Sequence, residues 1–150
     1  MKQVLKLIAW GTILGLFSMM SCGGSDGGGG TDPQPTSVTL TTTSATLNAN
    51  PITPTPNYSL TLNFDAGGQP NGYSVAGTAD KQPTVGSSGT FSVSVSQVTF
   101  TSEGVSRQVA ITSGTLNKEV VSVSLQWDLT KVDDGVSAAE QGAYLYTLSK

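Results

Sequence analysis

Few side chains in this 150-residue chain could do chemistry: one cysteine, ten carboxylates and no histidine. Without histidine the commonest general base and zinc ligand is missing. Three carboxylates, Asp128, Asp133 and Asp134, fall within Trp127-Asp128-Leu129-Thr130-Lys131-Val132-Asp133-Asp134-Gly135. Paired carboxylates can hydrolyse a glycoside or hold calcium. D-D-G is also ordinary turn sequence, with Gly135 able to take a positive φ, and that reading takes precedence. A hydroxyl nucleophile would need a lysine base, and Lys81 and Lys118 stand in turn-like, solvated stretches with nothing to activate them. Trp127 could stack on a sugar, but it alternates in register with Val123 and Leu125, which places it in a core. Tyr144 and Tyr146 share a face with Leu148 in the same way, and Arg107, the only arginine, reads as a solvated strand residue. The expectation is a non-catalytic chain with no cofactor and no metal.

The cysteine has a different role. Lys2 and Lys6 precede an apolar run, Leu7 to Met20, of about 14 residues, short of the roughly 20 that cross a bilayer as a helix. Such a run with a basic start reads as a secretory signal, to be left out of fold reasoning. Met19-Met20-Ser21-Cys22-Gly23 at its end resembles the lipobox of bacterial lipoproteins, with Met19 where leucine is usual. Relaxed boxes of this kind are familiar in the Bacteroidota. The resemblance implies that the Cys22 thiol takes a diacylglyceryl group and that cleavage after Ser21 frees an amine for a further acyl chain. Two or three chains anchor stably where one binds only reversibly. The alternative is an ordinary signal cut after Ser18 or Ser21, leaving a free thiol. Gly23, where an aspartate would favour inner-membrane retention, points to the outer membrane, on its periplasmic face or the cell surface.

Residues 22–36 are glycine-rich and lack apolar side chains, so they read as a disordered tether of roughly 20 Å typical span. Beyond the signal, five basic residues face ten acidic ones, a net charge near -5. That balance offers no patch for phosphates and argues against nucleic-acid binding.

The elements that must position any site lie in residues 37–150. Ser59–Phe64, Phe91–Ser96 and Val121–Leu129 alternate apolar and polar, the pattern of strands with one face on a core. Val38–Thr42, Ala45–Ala49, Tyr73–Gly77, Val98–Thr101, Arg107–Thr112 and Tyr144–Leu148 are further strands, and Ser137–Gln141 makes one helical turn at most. Asp65–Gly72, Ser102-Glu103-Gly104 and the pairs Ser113-Gly114 and Asn117-Lys118 are turn chemistry. Asn50–Asn57, with three prolines, reads as a loop or protected edge. Short connections join antiparallel neighbours, so the expected fold is all-β: an antiparallel up-and-down meander closed as a barrel or folded as a β-sandwich. Phe64, Tyr73, Phe91, Phe100, Val109, Ile111, Leu125 and Trp127 are its expected core.

Ser88-Gly89-Thr90-Phe91, the alternating strands through Trp127, and the closing Gly142-Ala143-Tyr144-Leu145-Tyr146-Thr147-Leu148 resemble small lipocalin-like lipoproteins of the Bacteroidota. The likeness covers residues 58–150 and departs from the lipocalin pattern in lacking an opening G-x-W. It implies a lipocalin-like barrel and an envelope compartment, and no activity. The functional expectation is a lipid-anchored binding or accessory module that meets the membrane through Cys22 and contacts another envelope protein or a glycan. The alternative is a lipocalin-like carrier of a small apolar ligand.

Overall fold

The computed structural model of the chain describes residues 34–77, 81–130 and 137–150. Cys22, Asp133 and Asp134 lie outside them. Nine strands form one antiparallel sheet: β1 (Thr36–Leu47), β2 (Asn50–Pro51), β3 (Tyr58–Phe64), β4 (Pro70–Gly77), β5 (Ser88–Val93), β6 (Gln97–Ser102), β7 (Val105–Gly114), β8 (Ser122–Leu129) and β9 (Gly142–Ser149). Strands β3 to β9 pair in sequence order, and β1 lies between β3 and β9, so eight strands close into a barrel. The short β2 pairs only with the end of β1. The meander is therefore a barrel and not a sandwich. A single 3-10 turn, Ala138–Glu140, precedes β9.

Alternation decides what lies inside. Tyr58, Leu60, Leu62 and Phe64 of β3 point inward, as do Val123, Leu125, Trp127 and Leu129 of β8 and Tyr144, Tyr146 and Leu148 of β9. An eight-stranded barrel has an interior that side chains can fill. Here Leu40, Leu60, Leu62, Leu125 and Leu148 are each 0% exposed. Aromatic rings fill much of the rest in edge-on pairs, Phe64–Phe91 at 5.6 Å and Tyr73–Phe100 at 5.1 Å between centroids. Of the expected core, Ile111 is only half-buried, packed against the cluster.

Closure falls to β1. The sequence suggests two strands, Val38–Thr42 and Ala45–Ala49, because the alternation breaks between them. The structure has one twelve-residue strand with a bulge. Thr42 pairs with Leu148 and Ser44 with Thr147, leaving Thr43 as the extra residue. Before it Val38 and Leu40 face inward, and after it Ala45 and Leu47 do. The bulge also marks where β1 changes partners, from β3 (through Thr41) to β9. Both adjacent hydroxyls are used there: Thr42 Oγ1 donates to Tyr58 O (3.1 Å) and Thr43 Oγ1 to Thr147 O (3.1 Å). Bulges bend and twist a strand, which is what a barrel corner requires.

The up-and-down order sorts the connections between two ends. At one end lie Asp65–Gln69, Ser94–Ser96 and Thr115–Val121, together with the beginning of β1 and the end of β9. Leu116 and Val120 of the last of these turn into the core. The other end carries the long β1–β3, β4–β5 and β8–β9 connections and the two-residue turn Glu103-Gly104, both at positive φ.

The β1–β9 seam is clipped at that second end by Asn48. Its Nδ2 donates to Gln141 O (3.2 Å), and its Oδ1 accepts from Ala143 N (3.0 Å). Gly142 lies between those contacts at φ +134°, where an added Cβ would overlap the Asn48 amide. Gly104 also has a positive φ, but with nothing within 4 Å of a Cβ. We therefore expect Gly142→Ala to cost about 2–3 kcal/mol of unfolding free energy and Gly104→Ala about 1. Urea titration of the two variants checks this, and equal losses would show that the clip contributes nothing to closure.

Candidate functional site

Four tyrosines, all there are in the chain, stand at the end carrying the long connections. Tyr58 opens β3, Tyr144 and Tyr146 open β9, and Tyr73 lies midway along β4. Their rings are buried, so their hydroxyls must find partners or forfeit about 1–3 kcal/mol each. The connections supply them. Tyr146 Oη donates to Lys81 O (2.6 Å), Tyr144 Oη donates to Glu140 O (2.8 Å), and Tyr73 Oη donates to Val85 O. Tyr58 Oη shares a hydrogen bond with Thr84 Oγ1 (3.3 Å). Arg107 adds a fifth tie, Nη1 donating to Gln82 O at 2.7 Å, so it is a clamp residue and not the solvated one its sequence suggests.

Four of these bonds, all but that of Tyr144, hold Lys81–Val85 at the mouth of the barrel. Pro83 and Thr84 are buried there. Removal from water raises the Tyr58, Tyr73 and Tyr144 hydroxyls above their ordinary pKa of 10, in Tyr58 against the opposing hydrogen bond from Thr84.

Between this segment and the proline-rich β1–β3 connection lies a cleft of about 480 Å³. Leu47, Ile52, Pro54 and Pro56 form its apolar side, Tyr144 and Tyr146 line it from β9, and Thr53, Thr55 and Asn57 add small polar groups. Its charged residues are Lys81 and Glu140, paired at 3.6 Å. Glu140 Oε2 also accepts from Ser137 Oγ (2.6 Å) and Ser137 N (3.0 Å). The Ser137 hydroxyl foremost, then its N–H and Lys81, hold the Glu140 carboxyl below the usual carboxylate range. Lys81 and the two Ser137 donors together order the Glu140 carboxylate on the rim.

Beside the two cleft tyrosines lies Trp127. Its ring stacks on Tyr144, with centroids 5.5 Å apart and 17° between planes, and meets Tyr146 edge-on at 4.9 Å. It is a core residue, 4% exposed, as its register predicts. Among the described residues its Nε1 has no hydrogen-bond partner.

Of the residues that the sequence singles out, Lys81, Tyr144 and Tyr146 meet at the cleft with Trp127 against the two tyrosines, and the other described ones lie apart. Asp128 is exposed on β8, its side chain opposite to that of Trp127. Lys81 and Lys118 stand at opposite ends of the barrel, Lys118 lying against Gly68. Among the described residues no three of His, Cys, Asp and Glu come together as a metal site. Sequence reasoning misses the Lys81–Glu140 pair and the apolar rim. One signal is present: in an up-and-down barrel, tyrosines at the starts of β3 and β9 must point to the same end. Comparison with known proteins adds nothing to this site, since no family model, curated protein or solved structure matches the chain.

The phenols make the fold sensitive to alkali. In the unfolded chain they ionise near pH 10, and in the fold later, so their contribution is complete below pH 10 and is lost as pH rises above it. Tyr58 alone should remove about 1.4 kcal/mol per pH unit in that range. Tyrosinate absorbance should rise together with loss of the barrel's circular dichroism. Free ionisation at pH 10 with the fold intact would show that the mouth hydroxyls are solvated.

Proposed function

We propose that this chain is a lipid-anchored, non-catalytic binding protein of the bacterial cell envelope, held in the outer membrane through Cys22 and presenting the mouth cleft to its partner. The observation that carries the reading is the polarity of the barrel. Its apolar side chains point inward and pack, while its outer wall carries hydroxyls such as Thr39 and Thr61, hydrogen-bonded to each other at 2.9 Å. Barrels that cross membranes carry their apolar band outside. A wall of this kind belongs in water, and membrane attachment falls to another part of the chain. The lipobox resemblance at Met19–Cys22 supplies that part.

Orientation supports the same reading. The described chain enters at the end capped by Leu116 and Val120, and the cleft opens at the other. A cleft at the end away from the start of β1 suits a partner reached across the envelope, either another protein or a glycan. Catalysis finds little support in a chain without histidine, the commonest general base.

A second reading, a carrier of a small apolar ligand, is favoured by the Leu47, Ile52, Pro54 and Pro56 side of the cleft. With the leucines of the interior fully buried, such a ligand would sit at the mouth and not deep in the barrel.

Intact mass of the protein from its native membrane tests the anchor. The expected species begins at Cys22 and carries two or three acyl chains, and Cys22→Ala loses both the added mass and co-sedimentation with membranes. An unmodified chain in both samples would overturn the anchoring.

A further inference from the structure

We propose that the mouth cleft takes a neutral sugar, and that Lys81 and Glu140 recognise two adjacent hydroxyls of its ring, Lys81 donating to one and Glu140 accepting from the other. This deepens the glycan reading of the cleft and rests on it.

The charged ends of these two cleft residues are close without being tightly bound. Lys81 Nζ lies 3.6 Å from Glu140 Oε1, beyond hydrogen-bond length. Both Ser137 donors go to the other oxygen, Oε2, so the carboxylate is fixed through Oε2 and Oε1 is left to the loose contact with Lys81. Neither side chain is closed off, that of Lys81 being 26% exposed and that of Glu140 45%. Both backbones are held by buried tyrosines that line the same cleft, Lys81 O by Tyr146 Oη (2.6 Å) and Glu140 O by Tyr144 Oη (2.8 Å). A donor and an acceptor are thus set side by side before any ligand arrives, which lowers the cost of binding. Adjacent hydroxyls on a sugar ring stand about as far apart as hydrogen-bonded oxygens, and each can donate or accept. One such pair can span Lys81 Nζ and Glu140 Oε1 with two charge-assisted bonds and leave the ion pair in place.

The rest of the lining suits the same class. Leu47, Ile52, Pro54 and Pro56 offer an apolar side against which the C–H face of a sugar ring can pack. Thr53, Thr55 and Asn57, all exposed, add hydroxyls and an amide. A cleft of about 480 Å³ lies within the range of small-molecule sites. A purely apolar ligand would strip water from two charges and return no hydrogen bond. An anion would meet the repulsion of Glu140 and a cation that of Lys81, and a lone alcohol satisfies one of them at a time. A neutral ring with neighbouring hydroxyls satisfies both.

The test uses the protein as its native host makes it, in phosphatidylcholine nanodiscs if acylated and in buffer if not, so the outcome does not depend on the anchor. Methyl α-D-mannopyranoside carries both a cis and a trans pair of adjacent hydroxyls. Its fully O-methylated form keeps the ring and loses the donors, undecane is the apolar control, and empty nanodiscs control for partition. The backbone amides of Ile52, Lys81 and Glu140 are followed by ¹H–¹⁵N NMR during each titration. The expected result is saturable shifts with the mannoside at millimolar concentration and none with its methylated form. Lys81→Met and Glu140→Gln should each weaken the mannoside about tenfold, with amides distant from the cleft unmoved as the sign of an intact barrel. If the methylated form binds as well as the parent, or if both variants bind the mannoside unchanged, the hydroxyl pair is not what the cleft reads and the proposal is overturned, although a ligand site remains. Shifts with undecane and none with the mannoside would overturn the sugar and leave the carrier reading. If neither compound moves the cleft signals, the sugar is overturned and the cleft is left to a protein partner, while the anchored binding protein still stands or falls on its intact mass.

Discussion

Buried phenol groups organise one end of this barrel. A tyrosine ring contributes a large apolar area, but its hydroxyl cannot be left in a core without a partner. Four such rings enter the interior from β3, β4 and β9 with their hydroxyls toward the same mouth, where the connections carry most of their partners. The loops must therefore bend inward to meet them. Lys81–Val85 comes over the opening because three phenols and Arg107 hold it there, and Glu140 sits beside Lys81 because Tyr144 holds its carbonyl. The ion pair on the rim follows from this arrangement: two tyrosines fix the backbone of the two residues whose side chains then pair.

At the scale of the whole fold the corresponding constraint is the bulge in β1. A strand with perfect alternation would carry the wrong face inward after changing partners from β3 to β9. One extra residue, Thr43, resets the phase so that Ala45 and Leu47 face the core. The threonine hydroxyls on either side of that step bond carbonyls of the two flanking strands, so the irregularity leaves those donors satisfied. Asn48 continues the seam beyond the last ladder pair.

These features differ in how far they can be read from residue order. Strands β3, β8 and β9 are plain in the sequence because each keeps a two-residue period against a solvated outer face. The all-β meander and most of its core follow from that period and from the turn residues. β1 reads as two strands because a bulge looks like a broken pattern. Leu116 and Val120 sit in a connection, where burial has no period to announce it. Sequence spacing points to Asp128, but Lys81 and Glu140, which share the cleft, are brought together only by barrel closure and by tyrosines that lie elsewhere in the chain. A site assembled from loop ends has no local signature.

The pairing of the first strand with the last has a consequence for the order of events in the cell. Thr43 and Thr147, bonded across the seam, lie 104 residues apart, and β9 is the sole strand that joins β8 back to β1. Without β9 the described strands cannot close the cylinder, so assembly awaits the segment that ends at Ser149. Long-range closure of this sort is slow compared with local pairing. Until β9 is in place, β8 and β1 each keep an unpaired edge, and the cylinder zips shut only when that strand arrives.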